Sequence, residues 1–129
     1  MSAENQAEIL LEMALKDWRA LAGMSDEEVF AEEIFGFHAQ QAVEKILKAW
    51  ACFLNIEYPK THDLNNLLYL LKTHGIDIDD LWEFAELNPY GVQFRYEAFD
   101  SADESIDRVK TIRKIEGIIH RISEIIKSR

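Results

Sequence analysis

Apolar positions along this chain recur every three or four residues and almost never alternate, a pattern that predicts helices rather than strands. The first stretch, 3–22, places Leu10, Ala14, Trp18 and Leu21 at that interval, with Glu8, Glu12 and Lys16 on other faces. Gly23 follows as a natural stop. Ser25 with Glu28 has the form of a capping box, so a second helix is expected from about Asp26 to Asn55. The rest of the chain should organise around it. Phe35, Ala39, Ala42, Val43, Ile46, Ala49, Trp50 and Phe53 form one continuous stripe at the helical period. Small alanines between the large side chains let a neighbouring helix come close. Phe30, Ile34 and Phe37 fall on another side and ask for a second cover, either the first helix or a dimer mate.

Tyr58-Pro59 ends that run, because the residue before a proline is pushed out of helical geometry. Thr61 offers an N-cap with Asp63 in the first turn, and Leu64, Leu67, Leu68 and Leu71 carry a third helix to His74-Gly75. Asp77 to Leu87 predicts a shorter fourth helix around Leu81, Trp82 and Phe84, followed by turn signals in Asn88-Pro89-Tyr90-Gly91. Val92 to Asp100 has the composition of a strand but no second strand to pair with, so it reads as an extended loop over the bundle. Ser101 with Glu104 forms another capping box before a last helix that runs to about Lys127. The stripe of that helix is Val109, Ile112, Ile115, Ile119, Ile122 and Ile126. The fold class expected is all-α: an up-and-down bundle of four main helices plus one short helix, in a single domain over 1–129.

Composition narrows the class without adding chemistry. A chain of 129 residues with 48% apolar and 29% charged residues is an ordinary globular domain with one core. No apolar run approaches the roughly 20 residues needed to span a bilayer, and the acidic N-terminus lacks the basic start of a signal peptide. Cys52 is the only cysteine, which excludes an internal disulfide framework. A cytoplasmic location is the expectation. The net charge of −10 argues against a general nucleic-acid coat, whose affinity comes from neutralising phosphates. It leaves room for a small basic cleft, and solubility through self-repulsion explains it most simply.

Little in the residue types demands catalysis. His38, His62, His74 and His120 are widely spread and form no metal-ligand spacing; no cofactor or metal is expected. GxGxxG and GxxxxGK[ST] phosphate loops are both absent. Cys52 lies amid aromatic and aliphatic neighbours and reads as structural. Arg113 and His120, seven residues or nearly two turns apart, project from one side of the last helix, away from its stripe. One reading is a solvated face. The other is an arginine that holds a phosphate and a histidine that moves a proton, as RNA cleavage through a 2′-hydroxyl requires.

FHAQQAVEKILKAW followed by PKTHDLNNLL resembles the HEPN domain family (higher eukaryotes and prokaryotes nucleotide-binding). The likeness is densest at Phe37, His38, Gln40, Gln41, Ala42, Glu44, Lys45 and Lys48, and again at Thr61, His62, Asp63 and Leu64. Phe94-Arg95-Tyr96 looks like the family's aromatic-basic element before the last helix. The resemblance implies an all-α bundle, usually a homodimer, often paired in prokaryotes with a separately encoded minimal nucleotidyltransferase in toxin-antitoxin-like systems. Many relatives are metal-independent ribonucleases with an R-x(4–6)-H motif at the dimer cleft. Arg113 and His120, with six residues between them, carry that motif here. Lys114 follows the arginine where Asn or Asp is usual, Gly117 interrupts the pair, and Ile122 stands where some relatives have a tyrosine.

These departures and the acidic charge place the chain nearer the branch named for nucleotide binding. For that branch the polar edge of the second helix is the candidate surface. Lys45 and Lys48 would receive phosphates, His38 and Gln41 would bond a base or ribose, and Arg95 would do either. The leading expectation is therefore a HEPN protein that binds a nucleotide or a nucleotidyltransferase partner. A metal-independent endoribonuclease using Arg113 and His120 is the alternative, and a purely structural helical interaction module is a third.

Overall fold

The computed structural model describes residues 3–92 and 105–128. They form α1 (Ala3–Ala22), α2 (Glu32–Phe53), α3 (Leu64–Thr73), a 3₁₀ helix (Asp79–Leu87), the single turn α4 (Asn88–Val92) and α5 (Arg108–Lys127), with no strand among the described residues. α2 lies at the centre and touches every other element. Phe35, Ala39, Ala42, Val43, Ile46, Leu47, Ala49, Trp50 and Ala51 are buried on it, so it is apolar around most of its circumference. α1 covers one side, burying Ala7, Leu10, Leu11, Ala14 and Leu21 at helical spacing. α5 closes the bundle through Ile115, Ile118, Ile119, Ile122 and Ile126.

The start of α2 differs from expectation. It begins at Glu32, not Asp26, and Ala31 precedes it in extended geometry without a side-chain cap. Ser25 caps nothing there; the Asp26 carboxylate instead accepts the Glu28 N–H at 2.9 Å and folds 26–30 into turns. The cause lies far along the chain. The buried Arg108 guanidinium donates to the carbonyls of Met24 and Phe30, both at 2.8 Å, and stacks 5.1 Å from the Phe35 ring. Those carbonyls are thereby held out of the helix.

The end of α2 is set by Asn55 and not by Pro59. Asn55 takes a left-handed φ of 60°, while Ile56 N–H reaches Ala51 O at 2.8 Å and Asn55 N–H reaches Cys52 O at 3.1 Å. These are the two bonds of a Schellman motif. α3 ends the same way at Gly75, φ 85°, with Ile76 N–H on Leu71 O. At its start the cap is Asp63, whose carboxylate accepts the Asn65 N–H; Thr61 Oγ1 accepts the Asp63 N–H one step earlier. Asn88 ties this start to α4, accepting the Leu64 N–H and donating to Asp63.

The predicted fourth helix is a 3₁₀ helix that begins at Asp79. Ile78, Leu81, Phe84 and Leu87 are all buried at a spacing of three. Three residues per turn keeps them on one face, where an α-helix would spread them. Asn88-Pro89-Tyr90-Gly91 continues as α4 rather than as an open turn. It approaches α2 closely because both contacts are glycines. A Cβ at Gly36 would collide with the Tyr90 ring, and one at Gly91 would come within 2.6 Å of the Gln40 side chain. The expected loop over Val92 to Asp100, apart from Val92 itself, and the Ser101–Glu104 capping box lie outside the described residues. α5 is capped by Asp107, which accepts the Lys110 N–H. Its stripe departs from expectation at Val109, which is 55% exposed.

Candidate functional site

The polar edge of α2 is built around two carboxylates that sequence reasoning did not place. Asp17, on α1, faces the first half of the edge. Lys45 Nζ lies 2.5 Å from Asp17 Oδ2, and His38 Nδ1 lies 3.4 Å from Asp17 Oδ1. Glu44, on α2 itself, anchors the second half. Its Oε2 accepts Lys48 Nζ at 2.9 Å; its Oε1 meets His62 Nδ1 at 3.0 Å and accepts Gln40 Nε2 at 3.1 Å. Gln40 also donates to the His62 carbonyl at 2.8 Å and accepts from Gln41 Nε2 at 2.8 Å. Lys48 additionally stands 5.7 Å from the Tyr58 ring.

Glu44 and Gln40 are buried, yet both have their partners, as buried polar groups require. Burial works to raise the Glu44 pKa, but the bonds from Lys48, His62 and Gln40 outweigh it, and the carboxyl lies below its ordinary value. The carboxylate is therefore a negative hub that joins α2 to the connection before α3. Of the proposed nucleotide-binding residues, the structure brings together His38 and Lys45 on one acid and sets Lys48 on another, with Gln41 at their border. Arg95 lies outside the described residues. No three His, Cys, Asp or Glu side chains converge on a possible metal position among the described residues.

Asp17 and Glu44 carry a faint sequence signal. Both sit at positions where the apolar period of their helices points inward: Asp17 between Ala14 and Leu21, Glu44 beside Val43 and Leu47. An acid at such a position needs a buried partner. Arg108 had no comparable signal.

Arg113 and His120 behave differently. Both are exposed on the outward side of α5, Arg113 has no hydrogen bond or ion pair with another described residue, and His120 Nε2 stands 4.0 Å from Glu124 Oε1. α5 also stands apart in charge. It holds six Lys or Arg against two Glu, an excess of four in a chain whose total is −10. Lys114 pairs with Glu83, and Arg121 reaches Asp80 at 3.0 Å while lying 5.4 Å from the Trp50 ring. Between these ion pairs an open hollow of about 270 Å³ runs beside Gly117 over Leu81, Phe84 and Ile118. Counting charge helix by helix would have exposed this ridge.

An all-helical bundle with a polar Gln40–Glu44–His62 knot at its centre is consistent with the HEPN expectation. The family model for the HEPN domain matches residues 7–127, nearly the whole chain. The chain belongs to the HEPN domain family. No curated protein and no solved structure matches it. No described helix is long and apolar enough to cross a membrane.

Proposed function

We propose that this HEPN protein works as a docking module, pairing with a second copy of itself and holding a separately encoded minimal nucleotidyltransferase. One observation carries the choice of docking over nucleotide capture: the cations on the edge of α2 are already neutralised within the chain. Lys45 and His38 face Asp17, and Lys48 and His62 face Glu44. A triphosphate arriving there would have to displace carboxylates held at hydrogen-bond distance, in a chain of strongly negative total charge. The test has two arms. Co-expression with a minimal nucleotidyltransferase encoded beside this chain gives a complex that elutes as one species, and separate elution ends the reading. Calorimetry with ATP and GTP gives a flat trace; a saturable trace abolished by Lys45→Ala restores nucleotide binding as the function.

A second reading is favoured by the free Arg113 and His120 on the outer side of α5. There Arg113 would hold a phosphate and His120 would shuttle the proton of a metal-independent RNA cleavage. Incubating RNA with the protein in EDTA decides it. Cleavage lost in His120→Ala establishes the ribonuclease, and intact RNA with the wild type removes it.

A further inference from the structure

Two copies of a chain that carries −10 repel each other, and they meet at least cost where the surface is least negative. α5 supplies that surface. Along its outward side Lys110, Arg113, Gly117, His120, Glu124 and Lys127 are all exposed and follow one another at alternating steps of three and four. That is the spacing of a helix–helix seam. At the centre, a Cβ added to Gly117 would meet nothing within 4 Å, so a second helix can approach closely there. The remaining α5 cations do not oppose the meeting: Arg108 is buried, Lys114 faces Glu83 and Arg121 faces Asp80.

The order of charges selects the orientation. Lys110 and Arg113 occupy the first half of the seam, and Glu124 occupies the second. A parallel neighbour would set like against like. An antiparallel neighbour crossing at Gly117 sets Lys110, seven residues before the crossing, against Glu124, seven after it, and two-fold symmetry repeats the pair. The same register opposes Asp107 to Lys127, and the exposed Val109 to the half-buried Ile125. The hollow beside Gly117, about 270 Å³, is below the roughly 300–1,000 Å³ of small-molecule pockets and would be roofed by the second helix.

We propose that two copies of this chain pair through α5, antiparallel and crossing at Gly117, with Lys110 of each copy facing Glu124 of the other. This rests on the self-pairing in the docking reading above and names its surface. Sedimentation velocity of the wild type, Lys110→Glu, Glu124→Lys and the double exchange tests it, since all these residues are exposed and tolerate substitution. The wild type sediments as a dimer. Each single reversal turns two attractions into repulsions and weakens the dimer roughly tenfold, and the double exchange restores it. Gly117→Cys in a Cys52→Ser background forms a self-disulfide under mild oxidation, because the crossing brings the two Cα atoms within the about 4.4–6.8 Å that the bond requires. A dimer indifferent to both reversals and without that cross-link overturns this interface while leaving self-pairing intact. A wild type that stays monomeric removes both. Loss of nucleotidyltransferase co-elution would instead strike the partner reading and leave the cross-link unaffected.

Discussion

His62 Nδ1 meets Glu44 Oε1 at 3.0 Å, fastening the connection before α3 to the middle of α2. Because the folded Glu44 pKa is depressed, its contribution is complete above the ordinary value of 4.5 and is lost as pH falls through the lower folded value. Thermal melts of the wild type and Glu44→Gln should therefore differ near neutrality and converge on acidification below 4.5. Melting curves that stay parallel through that window would show that the carboxylate charge is not what holds the connection.

Arg108 bonds two backbone carbonyls from inside the bundle. Arg108→Ala leaves the Met24 and Phe30 carbonyls without their donor and opens space against Phe35, at a cost of about 2–4 kcal/mol. Chemical denaturation measures the loss. Hydrogen exchange should quicken around 24–32, and unchanged protection there would mean that the turns hold themselves.

Gly36 lies in mid-helix, where alanine would ordinarily stabilise by about 1 kcal/mol. Here the added methyl collides with the Tyr90 ring, so Gly36→Ala destabilises instead, by about 1–3 kcal/mol. The sign of the change in denaturation midpoint is the readout. An increase would show that α4 can slide away from α2 freely.

Asp17→Ala removes the counter-charge of Lys45 and the neighbour of His38. Their side chains are only partly exposed, so the expected loss is modest, about 1 kcal/mol. Calorimetry of this variant with ATP is the more telling measurement. Heat that appears only after Asp17 is removed would mark the acid as a stand-in for a phosphate; a flat trace marks the cluster as an internal brace.

The bundle was legible where information is local. Leu10, Ala14 and Leu21 on α1, and the Phe35-to-Trp50 stripe on α2, announce their helices through spacing alone. The 3₁₀ geometry was also present in the interval Ile78, Leu81, Phe84 and Leu87, but a step of three is shared with the helical pattern. What could not be read were meetings fixed by tertiary register. Ser25 and Glu28 form a valid capping signal that Arg108 overrides from another helix. Gln41, Lys45 and Lys48 make a convincing ligand edge until Asp17 and Glu44 are found beside them. The exposure of Arg113 and His120 followed from their distance to the α5 stripe and needed no neighbour.

Both fastenings that draw α5 into the bundle reach far back along the chain. Arg108 contacts residues 84 and 78 positions earlier, and Trp18 donates its indole N–H to Ile112 O across 94 positions. During synthesis the entry to α2 therefore stays untied until the final segment leaves the ribosome. Premature termination anywhere before Arg108 would yield a product with the α2 core stripe half bare, a substrate for chaperones and proteases rather than a smaller working version.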